Sequence, residues 1–297
     1  MMRSLFLIMV LTLPSAAFGA EVIQFRYVVS AMTDTAGVSI KQPEGVACND
    51  NSLLVVSDTA RGRLQPFTVQ EGSLKPGAEI KVPYPLHVRL NSKGDLFVLD
   101  GKQRKIQHFG PQGEPKGDVQ PQGIPAPAAW IPKNFAVGPD DSLAILDIFS
   151  ARVLVVDAEG KFQRQLPLPA KHGFFSDVAV DPQGTIFVLD SVAAVVYAAG
   201  PNDKEYAPLT KGLHDYVAFP TSIAADKRFL YVVDQNSGSV LVLGKDGAIK
   251  GRKLRMGWKE GELRYPADIC INGKGEVFIA DRGNNRVGIY ALETEHK

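Results

Sequence analysis

Six residues share one placement in this chain, each at the start of a short apolar run, and the runs recur about every 45 residues. They are Gly45, His87, Asn134, Asp177, Ser222 and Asp268, with Glu44, Lys133, Ser176 and Thr221 one residue earlier. If the fold brings them to a common axis, Glu44, His87, Asn134, Asp177, Ser222 and Asp268 form a polar, ligand-binding mouth. Imidazole, amide and carboxylate groups are acceptable ligands for Ca2+, Mn2+ or Zn2+. Asn134, Asp177 and Asp268 are the expected metal set. Such an ion would polarise a carbonyl or activate water. The plainer expectation is a solvated lining with no ligand. The sequence holds no G-x-S-x-G stretch, so nothing points to a serine nucleophile.

The elements that would position these residues are written in a second periodicity. The runs VVSD, FVLD, AILD, FVLD, YVVD and FIAD end at Asp58, Asp100, Asp147, Asp190, Asp234 and Asp281. Ahead of each lies a strand-like run (GVAC, HVRL, NFAV, DVAV, SIAA, DICI), separated from it by a Gly-, Asp- or Asn-rich turn. A turn, a third strand such as RVLVV and a fourth follow. Short β-branched runs bounded by turn residues read as an antiparallel meander. Four strands per unit and six units predict an all-β, six-bladed β-propeller. No segment beyond the first residues sustains a helical apolar period. The last unit lacks a fourth strand, and VIQFRYVVS at 22–30 is unassigned. That run is expected to complete the last blade and close the ring.

The segment YPADICINGKGEVFIADRGNNRVGIY at 265–290 resembles an NHL repeat, with a proline before the inner strand, an Asp ending the second and a Gly-Asn-Asn-Arg turn. FPTSIAADKRFLYVVDQNSGSVLVL and YPLHVRLNSKGDLFVLDGKQRKIQHF are similar to it. The resemblance implies a propeller used mostly for interaction. It also suggests two enzymatic alternatives. Propeller lactonases of the gluconolactonase class place a metal at the channel mouth. Amidating lyases with NHL-like repeats gather several histidines round zinc, whereas only His87 stands on an inner strand here. His108 falls on a third strand, His172 and His214 in connections and His296 in the tail.

The six Asp residues read as turn organisers, with Arg286 returning a charge to Asp281. The turns after them should share the mouth-side face, where Trp130, Phe149, Phe174, Phe175 and Val192 would form an apolar partner patch. An alternative turns the phenylalanines inward. Cys48 and Cys270 fall on the inner strands of the first and last units. Packed sheets lie ~10 Å apart and a disulfide needs Cα atoms within ~7 Å, so two buried free thiols are expected, with a disulfide as the alternative.

Residues 1–20 read as a secretory signal: Arg3, an apolar run from Leu5 to Leu13, and small residues before a cleavage after Gly19 or Ala20. The propeller would then occupy 21–297, exported to a bacterial periplasm or the extracellular medium, with no membrane span. No Cys follows the cleavage point, so lipid attachment is not expected. With 33 basic and 32 acidic side chains, there is no basic excess of the kind nucleic-acid binding uses. The function expected is a non-catalytic platform for a protein or other macromolecule; the alternative is a metal-dependent hydrolase or lactonase.

Overall fold

The computed structural model describes residues 21–70, 72–171 and 173–296. Its strands form six antiparallel sheets arranged as the blades of a propeller. Blade four shows the plan: Phe175–Val180 lies innermost, followed outward by Ile186–Asp190, Val195–Ala199 and Ala207–Pro208. Blade one adds a short strand, Ile80–Lys81, against Arg63 and Leu64.

Burial explains the sequence pattern. A second strand is covered on both faces by neighbouring blades, so Leu96–Asp100, Leu143–Asp147 and Ile186–Asp190 are buried at every residue. They therefore read as unbroken apolar runs rather than alternating ones. The outer strand Phe162–Pro167 alternates between half-buried and exposed over its first four residues, as one-sided strands do. The core lies between blades: Leu146 and Val153 of blade three pack with Val178 and Val188 of blade four.

The ring closes as expected. Glu21–Ala31 pairs antiparallel with Arg286–His296, from Glu21 opposite His296 to Ala31 opposite Val287. Ala31, Phe278 and Val287 then pack against Val46, Leu54 and Phe67 of blade one. A second closure corrects the expectation of free thiols. Cys48 and Cys270 form a disulfide, with their Cα atoms 6.0 Å apart. The ~10 Å spacing applies to sheets packed face to face; inner strands converge on the axis and come closer.

The expected signal segment, residues 1–20, lies outside the described residues. Among those described, no helix is long and apolar enough to cross a membrane.

Candidate functional site

Inner strands run away from the mouth and second strands return to it. Turns between second and third strands, and connections from one blade to the next, therefore share the mouth-side face. In five blades the inner strand begins with a bulge. The register slips between Pro43 and Gly45, Pro85 and His87, Pro132 and Asn134, Phe175 and Asp177, and Pro220 and Ser222. A bulge re-aims side chains. The extra residue, Glu44, Leu86, Lys133, Ser176 or Thr221, stays partly exposed, whereas Gly45, Asn134, Asp177 and Ser222 are buried and His87 is half-buried. Asp268 of blade six is fully buried. The predicted mouth residues are thus brought together, but most of them face the neighbouring blade rather than an open cavity.

Their hydrogen bonds tie blade to blade. Asn134 Nδ2 donates to Asp177 Oδ1, and Ile223 N of blade five donates to Asp177 Oδ2 at 2.8 Å. Ser222 Oγ donates to Asp268 Oδ1 at 3.0 Å, and Val46 N of blade one donates to Asp268 Oδ2 at 3.0 Å. Each carboxylate also accepts from the amide of the residue after it, Val178 or Ile269. Gly45 belongs to the same construction: a Cβ there would lie 2.5 Å from the Leu86 carbonyl oxygen, so blade one approaches blade two too closely for a side chain.

One participant is absent from the predicted set. Arg89 sits at the third inner-strand position, where other blades carry Ala47, Ala136, Ala179, Ala224 and Cys270. Its Nη1 donates to Asp268 Oδ2 at 2.8 Å and to the Val88 carbonyl at 2.9 Å. A charge among alanines at one repeat position was the sequence signal for it. The channel beneath is narrow, about 180 Å3, and these small residues line it.

The charges respond to this burial. Burial pushes the Asp177 carboxyl up to about 6, against the pull of Arg89. Burial would also raise Asp268, but Arg89 and His87 hold it below the usual carboxylate range. Burial pushes His87 down to about 3, and its Nδ1 is enclosed without a hydrogen-bond partner among the described residues. Among the described residues no three His, Cys, Asp or Glu side chains gather as a metal centre would require. Arg89 already supplies Asp268 with a positive charge, and the oxygens of Asp177 and Asp268 already accept hydrogen bonds. This arrangement of Asn134, Asp177 and Asp268 does not fit a divalent cation.

At the open level of the mouth, Glu44 pairs with Arg282 at 2.7 Å, and burial raises its carboxyl despite that partner. Lys133 Nζ lies 5.4 Å from the Phe174 ring centroid.

The Asp-Arg-Gly-Asn-Asn-Arg turn is structural, and what it holds is a mouth-side connection. Asp281 accepts from Arg264 N at 2.7 Å and from Arg286 Nε at 2.8 Å. A Cβ on Gly283 would sit 2.5 Å from the Arg264 carbonyl oxygen. Asn284 Nδ2 donates to the Gly257 carbonyl, and Arg286 Nη2 to the carbonyls of Lys259 and Glu262 at 2.6 and 2.7 Å. Asn285 adopts a left-handed φ of 54°, which asparagine tolerates. Arg152 repeats the clamp in blade three, reaching Asp147 and the carbonyls of Pro125 and Pro127.

Apolar exposure is concentrated on this face. Of fourteen large apolar side chains exposed among the described residues, only Val28 and Ile249 lie within outer strands. The others occupy mouth-side segments: Met32 and Val38 before blade one, Tyr84 before two, Ile148 and Phe149 in three, Phe174 and Val192 in four. Tyr216 and Phe219 precede blade five, and Met256, Trp258 and Tyr265 precede blade six. Of the predicted patch, Phe149, Phe174 and Val192 are 56%, 46% and 57% exposed. Phe175 turns inward instead, edge-on to Tyr197, because it opens an inner strand. Trp130 is half-buried against the core of blades two and three.

Residues 263–290 match the NHL repeat family. No curated protein sequence matches the chain. Among solved structures it is similar to a streptogramin B lyase, at 14% identity and TM-score 0.61, over 92% of this chain and 98% of that one. It is similar to virginiamycin B lyase from Staphylococcus aureus, at 14% and 0.58, over 93% and 89%. It is also similar to a gluconolactonase from Xanthomonas campestris, at 13% and 0.63, over 95% and 94%. At these identities the likeness is one of fold.

Proposed function

Because this chain is a six-bladed propeller that carries an NHL repeat at residues 263–290, we propose that it is a non-catalytic docking platform engaging a protein partner through its mouth-side face, in the periplasm or outside the cell. The observation that carries this reading is the distribution of exposed apolar side chains, which crowd one face and are rare elsewhere. Exposed apolar groups gathered on one surface mark interaction sites. The buried mouth carboxylates support it further, since they are committed to holding blades together. The Cys48–Cys270 disulfide supports export, because disulfides persist in oxidising compartments, as does the signal-like N-terminal sequence.

The test is site-specific photocrosslinking in the exporting cell. Photoreactive residues at Phe149 and Val192 are expected to give discrete adducts, and residues at Asp141 and Lys227, in turns of the opposite face, none. Adducts from the opposite face alone would sink the reading.

A hydrolase or lactonase is the second reading, favoured by the fold likeness to a gluconolactonase and by the partly open ring of Glu44, Lys133, Ser176 and Thr221. It predicts turnover of sugar lactones and a melting shift with Ca2+, Mn2+ or Zn2+. An ion at a hundred times its Kd would add about 2.7 kcal/mol. Lactone turnover abolished by Glu44→Gln would replace the platform reading.

A further inference from the structure

The mouth-side rim carries a cleft of about 630 Å3 between the Asn236 turn of blade five and the connection into blade six. Met256, Trp258 and Tyr265 supply its apolar walls and Lys259, Glu262 and Arg264 its charges. Resting on the docking-face reading, we propose that this cleft binds an acidic peptide segment of the partner that carries a bulky apolar side chain.

Three observations point to that occupant. Trp258 is 75% exposed, the highest value among the large apolar side chains described. Its loop does not bend away freely: the Gly257, Lys259 and Glu262 carbonyls are held by Asn284 and Arg286, and Leu263 N donates to the Arg255 carbonyl at 3.0 Å. A ring presented on a rigid support loses little freedom on binding and makes an anchor.

The charges set the polarity. Glu262 is engaged by Arg255, with Nη2 2.9 Å from Oε1, and accepts from Lys259 N at 3.2 Å. Lys259 and Arg264 stand exposed with no carboxylate partner among the described residues. Arg264 lies 5.8 Å from the Tyr265 centroid, which keeps its guanidinium at the cleft wall. The cleft thus offers two aromatic rings, a thioether and two cations that form no ion pair among the described residues.

The same inventory disfavours a sugar. Hydroxyl groups need paired acceptors and donors, and the one carboxylate here is committed, leaving Asn236 as the neutral amide. Met256 instead suits varied apolar side chains, because its thioether chain is flexible and polarizable.

The test uses the chain from residue 21 and fluorescein-labelled octapeptides. One alternates Glu with Leu and Phe, a second replaces Glu by Lys, and a third replaces the apolar residues by Ser. Binding is read by anisotropy. The acidic apolar peptide is expected to bind at least about tenfold more tightly than either control, a difference of ~1.4 kcal/mol. Trp258→Ala should weaken it by a similar factor, and the double variant Lys259→Glu/Arg264→Glu should invert the charge preference. Lys227→Ser, in an exposed turn of the opposite face, should leave it unchanged. Equal binding of acidic and basic peptides, indifference to Trp258→Ala, or binding of an oligouronate in place of the peptide would overturn the proposal. If crosslinks from Phe149 and Val192 persist in that event, the docking face stands and only the cleft assignment falls.

Discussion

The two faces of the propeller use the same residue types for different ends. On the face opposite the mouth, Asn and Asp close their own turns. Asn91 Oδ1 accepts from Lys93 N and Asp95 N, and Asp157 Oδ1 from Glu159 N and Lys161 N. Asp181 and Asn272 do the same. These are local bonds in short polar turns. On the mouth side, Asp58, Asp147, Asp190, Asp234 and Asp281 accept from amides of the connection arriving from the preceding blade, 15 to 17 residues away. Asp100 departs from this and takes only its own turn amides. Where a carboxylate pins a distant segment, that segment can be long and can present apolar side chains without drifting. The difference teaches that the apolar face is a held surface, not loose loops.

The largest test sets the scale common to both faces. Removing the disulfide with Cys48→Ser/Cys270→Ser should cost ~5 kcal/mol, the chain-entropy value for a closed loop of this length, since the bonded residues are 222 apart. Urea unfolding checks this, and a loss under about 1 kcal/mol would assign closure to the Glu21–Ala31 strand. Next, Arg286→Ala leaves the Asp281 carboxylate buried without its ion pair and should cost about 3–5 kcal/mol. Asp157→Ala, on the opposite face, removes local bonds open to water and should cost about 1 kcal/mol. Equal costs would erase the distinction between the faces.

Acid titration sharpens it from within the mouth. Asp177 is raised in the folded chain, to about 6, so its stabilisation is present below the ordinary carboxylate range and lost as pH rises through about 6. His87 is lowered, to about 3, so its contribution is present above its ordinary value near 6.5 and lost as pH falls toward 3. The two slopes oppose each other between about pH 4 and 6. The contributions of these two groups should nearly cancel there. Relative to wild type, His87→Gln should lose stability with rising pH, and Asp177→Asn should gain it. Parallel profiles for both variants would contradict the assignment. The smallest expected effect is the most pointed: Phe149→Ser and Val192→Ser should change stability by under about 0.5 kcal/mol. Their cost should appear in crosslinking alone.

The architecture was legible because every blade solves the same local problem. A strand buried on both faces must be wholly apolar, and its terminal Asp must organise a turn, so FVLD-like runs repeat. Closure followed from counting strands. What escaped depended on distances the repeat does not encode. Arg89 meets Asp268 across 179 residues, and Cys48 meets Cys270 only because inner strands converge. The bulge was also invisible, and it decides the site. In five blades it moves one residue toward solvent, so Asn134 and Asp177 turn to the neighbouring blade while Lys133 and Ser176 keep the mouth.

Closure of the last blade has a kinetic consequence. Tyr27 pairs with Tyr290, so the first described strand waits for a partner made 263 residues later. Blades one to five are each assembled from consecutive strands and can form as the chain lengthens. Blade six cannot, and loop closure over such a span is slow compared with local meanders. Until the strand Arg286–His296 arrives, the molecule is an open arc with an unpaired edge at each end. Such edges recruit other strands, so the hazard for this chain lies in the interval before the ring shuts, and any condition that holds the C-terminal strand back prolongs it.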